Sequence, residues 1–211
     1  MKTDDLIRVM ANDTVGARTS LVGRMAALAI GIVAGAALLA ATLGVRPDVG
    51  LAVQTWRFVF KVAVVATGAG GALWACARLV HPDARLRDAA AGFVLAPALL
   101  AVAVACELLA APPAEWYARA IGTYARTCLV AVPLLSLLSL ATVLAAMRTG
   151  APRSPTAAGA VAGLLAGAIG ATLYAAHCPD DSPLFLAIWY PLAVAVVVLL
   201  GAIVGNRLLR W

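Results

Sequence analysis

The residues best suited to chemistry in this chain are cysteines with acidic and imidazole neighbours. Cys178 lies directly after His177 and shortly before Asp180 and Asp181. Thiols, imidazoles and carboxylates can bind a soft or borderline metal ion, and two thiols can form a disulfide. Which other thiols can join this group depends on the elements that position them.

Those elements are long and apolar. Hydrophobic residues make up 64% of the chain and charged residues only 12%, with a mean hydropathy of +0.96. The polar residues fall in short clusters between apolar runs of about 20 residues, the length that spans a bilayer as a helix. We predict an all-α, polytopic membrane protein with a six-helix transmembrane bundle. The predicted spans are residues 25–45, 58–80, 89–111, 127–147, 156–176 and 183–204.

The basic residues predict the orientation. Eleven of the 16 Lys and Arg residues lie in the N-terminal tail, the even-numbered loops and the C-terminus, and five lie on the other side. Basic residues near span ends favour the cytoplasm. We therefore expect a multi-pass protein of a bacterial inner membrane, with residues 1–24 and 205–211 in the cytoplasm and residues 25–204 forming the bundle. The alternative, a cleaved signal peptide, is disfavoured by the long tail with Asp4, Asp5 and Asp13.

This topology gathers three cysteines at the outer face. Cys106, which is followed by Glu107, lies near the outer end of the third span, Cys128 at the start of the fourth, and Cys178 beyond the fifth. A disulfide, a metal site and simple packing of small apolar side chains all fit this arrangement. Cys76 is expected at the inner face.

Small residues on the fifth span are spaced for close helix packing. Gly159, Gly163 and Gly167 form a tandem GxxxG ridge. Such a ridge lets two backbones approach in lipid, either inside one bundle or between two copies. The contact inside the bundle is the favoured interpretation.

The sequence argues against catalysis. It contains no HExxH, GxSxG, Walker or CxxC motif, and we expect no cofactor and no direct contact with nucleic acid. Lys61 and Glu107 lie near span ends, where we expect them to reach the interface by snorkelling or local hydration. An alternative is a small transporter or metal-efflux protein that uses Glu107 and the outer cysteines, and another is a purely structural membrane subunit.

The N-terminal tail is predicted to form a short amphipathic helix. Thr3 is a suitable N-cap, and Asp4 and Asp5 complement the positive helix end. The apolar face comprises Leu6, Ile7 and Met10, and the polar face Asp5, Arg8 and Asn12. A helix this short needs something to pack against, either the membrane and its own bundle or a groove on a soluble partner.

Several segments resemble the NrsF-type membrane anti-sigma factors, negative regulators of an extracytoplasmic-function sigma factor. The resemblance covers the whole chain. It is carried by the opening residues 2–7, a cysteine at the start of the fourth span, the segment 177–183 (HCPDDSP), Trp189-Tyr190 and the closing residues 209–211. It implies that the N-terminal helix sequesters the sigma factor and that Cys128 and Cys178 match the family's paired periplasmic cysteines.

Combined with the topology, the resemblance predicts a regulator that releases its sigma factor on a periplasmic redox or heavy-metal signal. The expected partners are an extracytoplasmic-function sigma factor, the lipid bilayer and a metal ion at the periplasmic thiols. The expected sigma-binding residues are Thr3, Asp4, Asp5, Leu6, Ile7 and Met10. The expected sensing residues are Cys128 and Cys178, with His177, Cys106, Asp180 and Asp181 as secondary candidates.

Overall fold

The described part of the chain is helical throughout. The computed structural model describes residues 21–79, 87, 90–148, 150 and 152–210. Within these residues there is no strand, and a 3-10 turn, Ala91–Phe93, precedes α4. The helices are α1 (Leu21–Thr42), α2 (Val49–Ala52), α3 (Trp56–Leu79), α4 (Leu95–Ala110), α5 (Pro113–Ile121), α6 (Ala125–Met147), α7 (Pro155–Ala175) and α8 (Pro183–Leu208). The all-α prediction is confirmed for these ranges.

Five helical runs in the described ranges are long and apolar enough to cross a membrane, where the sequence predicted six. They are α1 from Val22, α3, the run Pro113–Met147 that contains α5 and α6, α7 and α8. The predicted third span, residues 89–111, is instead α4, a helix of 16 residues. At ~1.5 Å per residue, α4 alone is about 24 Å long, less than the ~30 Å hydrocarbon core.

Pro97 lies next to the N-terminal end of α4. It occupies the first turn of α4, where its missing N–H costs no intrahelical hydrogen bond. Its ring would clash with the carbonyl of Phe93 if an α-helix continued toward the N-terminus. The chain adopts the 3-10 turn Ala91–Phe93 there instead. The apolar run of residues 89–111 is therefore continuous in sequence, but it does not form one α-helix.

The centre of the bundle is α7, which packs against α3, α6 and α8, while α1 packs mainly on α6. The glycine ridge of α7 faces α8. A Cβ on Gly163 would lie 2.5 Å from the carbonyl oxygen of Val197 and 2.8 Å from the Cα of Val198. The ridge is thus used inside the bundle, where it allows the two backbones to touch.

The buried side chains form two clusters at opposite ends of the bundle. One contains Cys128 and Cys178, and we call this end the thiol end. The other contains Met147 and Leu209. On α1, Leu39 belongs to the thiol-end cluster, whereas Leu28 packs against the opposite one. The N-terminal tail therefore joins α1 at the end farthest from the thiols.

Substitution of Gly163 by Ala tests the α7–α8 contact. The added methyl group has no space, so we expect unfolding in detergent to become easier by about 1–3 kcal/mol, as for other overpacked sites. Gly70→Ala is the matched control, because a Cβ on Gly70 meets no atom within 4 Å. This control should be neutral or stabilising by up to ~1 kcal/mol through helix propensity. Equal thermal stability of the two variants would contradict the packing described.

Candidate functional site: two buried thiols and their ion pairs

Cys178 is buried in the connection between α7 and α8, residues 176–182, which we call the thiol loop. Its side chain is 0% exposed, and its N–H donates to the carbonyl oxygen of Tyr174 over 3.0 Å. Pro179 lacks an N–H and ends this turn. The Ser182 side chain then accepts a backbone N–H at the start of α8. The segment that carried the resemblance thus ends one helix and caps the next.

Asp180 joins the thiol loop to the start of α6 by hydrogen bonds. One carboxylate oxygen accepts the backbone N–H groups of Thr123, at 2.9 Å, and Tyr124, at 2.8 Å. Tyr124 is the N-cap residue but provides no side-chain cap, so Asp180 complements the positive end of the helix dipole. Gly122, with φ of +60°, permits this approach, because a Cβ there would lie 2.7 Å from the same oxygen. Cys128 follows one turn along α6.

Cys128 and Cys178 lie in one buried aromatic cluster. Cys128, Cys178, Tyr174 and Phe185 are 0% exposed, and Tyr190 is 3% exposed. The Tyr190 ring lies 6.1 Å from that of Tyr174 and 6.4 Å from that of Phe185. Both cysteines are free thiols. Burial raises the pKa of the Cys178 thiol above its usual value, so this thiol stays protonated and weakly nucleophilic at neutral pH.

Two cations hold the thiol loop, one from the connection that follows α1 and one from α3. The Lys61 ammonium, 1% exposed, donates to the carbonyl oxygen of Cys178 at 2.7 Å and pairs with Asp181. The Arg46 guanidinium binds the other Asp181 oxygen at 2.7 Å and approaches the Cys178 carbonyl at 3.4 Å. It also binds Asp48 and lowers the pKa of that carboxyl. We call Arg46, Lys61, Asp181 and the Cys178 carbonyl the ion-pair clamp.

A second network joins α3, α4 and α5. Glu107 is 0% exposed and accepts from Arg57 at 3.0 Å and from Arg119 at 2.5 Å, and Arg119 also pairs with Glu115. The expectation that local hydration reaches Lys61 and Glu107 is wrong for both, because both side chains are buried. Their charges are neutralised inside the protein by partners from other helices, so neither side chain needs to extend to water.

The thiol loop is also bonded to the residues that follow α1. The N–H of Arg46 donates to the carbonyl oxygen of Ala176 at 3.1 Å. The Nδ1 atom of His177 lies 3.0 Å from the carbonyl oxygen of Gly44 and donates to it. Gly44 has φ of +71°, which lets the chain leave α1 toward the loop. The Nδ1 atom of His177 is thus engaged in a hydrogen bond with the backbone.

The remaining sequence-based candidates are placed as follows. Cys106 is exposed and lies outside both buried clusters, and Cys76 is buried at the end opposite the thiols. Within the residues described, no group of three or more His, Cys, Asp or Glu side chains could hold a metal ion. The predicted sigma-binding residues lie outside the described ranges: Thr3, Asp4, Asp5, Leu6, Ile7 and Met10.

The groups that surround the thiols were not predicted from the sequence. Arg46, Lys61, Tyr174 and Tyr190 were not assigned to the site. A signal was present for Lys61, because a charged side chain within an apolar span requires a partner, and Asp181 is an acidic residue at the same end. The two tyrosines gave no such signal, since aromatic residues are common at span ends.

Comparison with known proteins identifies the family of the chain. The family model described as negative regulator of sigma F (NrsF) matches residues 10–211. A probable anti-sigma-F factor NrsF from Azospira oryzae is 37% identical over 213 aligned residues, and an anti-sigma-F factor NrsF from Caulobacter vibrioides is 35% identical over 218. Both alignments cover the whole of each chain. No solved structure matches. The chain therefore belongs to the negative regulator of sigma F family.

Proposed function

We propose that this chain is a membrane-bound anti-sigma factor that holds an extracytoplasmic-function sigma factor through its tail and releases it when Cys128 and Cys178 are modified. Membership in a family of regulators agrees with the prediction that the chain is not an enzyme. Its two full-length relatives are named as anti-sigma-F factors. The type of sigma factor and the signal are part of the proposal.

The observation that carries the proposal is the position of α1. At one end, α1 is followed directly by Gly44 and Arg46, which are bonded to the thiol loop. The other end leads directly into residues 1–20, which contain the predicted sigma-binding face. A change in the thiol loop can therefore act on the tail through one helix.

In the proposed topology the chain crosses a bacterial inner membrane six times, with the tail in the cytoplasm and the thiol end outside. The third crossing is made by α4 together with the 3-10 turn before it, residues 91–110. Gly92 touches Gly71 in the second half of α3, and Glu107 pairs with Arg57 at the start of α3. The chain thus runs back along α3 toward the thiol end before α5 and α6 begin.

In the tail, Leu6, Ile7 and Met10 would occupy an apolar groove on the sigma factor and keep it from RNA polymerase. Thr3, Asp4 and Asp5 would stabilise the first turn of this helix. Burial of the three apolar side chains supplies the affinity, as in other helix-in-groove complexes.

Leu6→Glu tests this assignment. A carboxylate cannot be buried in an apolar groove without a partner, so we expect co-purification of the sigma factor with the membrane protein to fall at least tenfold. Asn12→Glu adds the same side chain on the predicted polar face and should retain binding. Both variants should insert into the membrane normally. Equal retention of the sigma factor by the two variants would refute the assignment.

At the other end, modification of the thiols would disturb a closed cluster. A disulfide needs Cα atoms no more than ~7 Å apart, and a bound metal ion needs deprotonated thiols. Cys178 is fixed at its carbonyl by the ion-pair clamp and Cys128 lies in α6 near the Asp180 cap. Either modification would move the thiol loop relative to α6, and through Arg46 relative to α1.

Replacement of both Cys128 and Cys178 by Ser tests the sensing role. Expression of the sigma-dependent genes should lose its response to oxidants and heavy metals, because the two thiols that would be oxidised or would bind the metal are absent. Cys106→Ser, a change of an exposed thiol outside the cluster, should leave the response intact. A normal response in the double variant, with membrane levels of the protein unchanged, would eliminate the thiols as sensors.

A further inference from the structure

A groove of about 440 Å³ lies between α1 and α6 at the thiol end. Leu38, Thr42 and Leu43 line one side of it, and α6 lines the other side from Arg126 to Leu135. Apart from Arg126 and two threonines, the lining side chains are apolar. The groove therefore combines one cation at its mouth with an apolar channel along the rest of its length.

The groove begins where the close contact between α1 and α6 ends. A Cβ on Gly35 would lie 3.1 Å from the carbonyl oxygen of Leu135, so the two backbones touch at this level. The next two positions on the same face of α1 are Leu38 and Thr42, at i+3 and i+7 from the glycine. Their larger side chains keep the helices apart toward the thiol end, and the protein does not fill the space between them.

The open side of the groove faces the surroundings of the bundle. Val130 is 60% exposed and Leu134 is 52% exposed, whereas Ala131 and Leu135 at the floor are buried in the cluster that contains Cys128. At ~1.5 Å per residue, the α6 side of the groove is about 13 Å long, close to half of the ~30 Å hydrocarbon core. An occupant that enters from the lipid therefore fits if it is apolar and one leaflet long.

Arg126 indicates the head group of this occupant. It is exposed, lies in the first turn of α6, and has no ion-pair or hydrogen-bond partner among the described residues. Asp180, the carboxylate at the start of α6, accepts backbone N–H groups instead. A cation in the first turn opposes the helix dipole, so Arg126 does not stabilise α6. Its guanidinium is available to an anion from outside the protein.

We propose that this groove binds one anionic phospholipid, such as phosphatidylglycerol, with its phosphate on Arg126 and one acyl chain between α1 and α6. A guanidinium binds phosphate through charge-assisted hydrogen bonds, and basic residues beside grooves between transmembrane helices recognise anionic head groups. The chain fills space that neither helix fills, and so holds α1 against α6 at the thiol end. In the proposed topology this lipid belongs to the outer leaflet. Its binding does not depend on the sigma-factor or thiol assignments.

Selectivity for the head group is tested by native mass spectrometry of the full-length protein, delipidated in detergent and titrated with dioleoyl phosphatidylglycerol or dioleoyl phosphatidylcholine. We expect one phosphatidylglycerol to bind about fivefold more tightly than phosphatidylcholine, which has no net charge. Arg126→Gln should remove this preference. Arg153→Gln removes the same charge from an exposed position at the other end of the bundle and should retain it. Equal affinity of the unmodified protein for both lipids would mean a nonselective apolar contact and would overturn the proposal.

The need for the acyl chain is tested with glycerol 3-phosphate, which carries the phosphate without a chain. A roughly 100-fold excess should leave bound phosphatidylglycerol in place, because burial of the chain supplies most of the binding free energy. Displacement would show a site for a free anion and would overturn the assignment to a phospholipid.

Occupancy of the groove itself is tested by filling it. Val130→Trp places an indole at the open side of the groove and should weaken phosphatidylglycerol binding at least fivefold. Val102→Trp makes the same change at a 54% exposed position of α4 outside the lining and should have no effect. The lipid should raise the midpoint of thermal unfolding of the unmodified protein and of Val102→Trp, but not of Val130→Trp. Equal lipid affinities and equal midpoint shifts for the two variants would contradict binding in this groove.

Discussion

The arrangement of this protein depends on one electrostatic constraint, the need of the Lys61 ammonium for partners inside an apolar bundle. Lys61 lies in α3 and is 1% exposed, and its partners are Asp181 and the carbonyl of Cys178. Removal of one partner from a buried ion pair typically costs about 3–5 kcal/mol. The pairing therefore fixes α3 against the α7–α8 connection, and Asp180, one residue earlier, fixes the same connection to α6. The two cysteines enter one cluster as a consequence.

The same contacts explain how a local change at the thiols could reach the opposite end. The thiol loop is bonded to Gly44 and Arg46 at one end of α1, and the tail begins at the other end. A packed bundle has discrete arrangements and does not deform continuously, so a displaced loop favours a different packing of α1. A ~100-fold change in affinity for the sigma factor requires that the free energies of sigma-factor binding to the two arrangements differ by about 2.7 kcal/mol. This is less than the typical cost of breaking one buried ion pair.

Much of the fold was predictable from the spacing of apolar runs and prolines. The last predicted span starts at Pro183, as α8 does, because Ser182 and Pro183 form a cap and a first-turn proline that sequence alone reveals. The third predicted span is not one long α-helix, because hydropathy records apolar residues and does not distinguish the 3-10 turn Ala91–Phe93 from the α-helix that follows it. The order of the apolar runs predicted Cys106, Cys128 and Cys178 at the same level of the bundle, but not that Cys128 and Cys178 share a buried cluster without Cys106. The ion pairs of Lys61 with Asp181 and of Glu107 with Arg57 could not be predicted from the sequence. Their partners are 120 and 50 positions apart, and such pairing depends on helix register, which composition does not encode.

In the mechanism we propose, the state of the two thiols sets the affinity of the tail for its sigma factor. The most direct measurement is the Kd of the purified full-length protein for the sigma factor, determined with Cys128 and Cys178 reduced and again after they are oxidised. We expect an affinity about 100-fold weaker after oxidation, equivalent to ~2.7 kcal/mol of coupling, and no change in a variant with both cysteines replaced by serine. The same Kd in the reduced and oxidised states of the unmodified protein would contradict it.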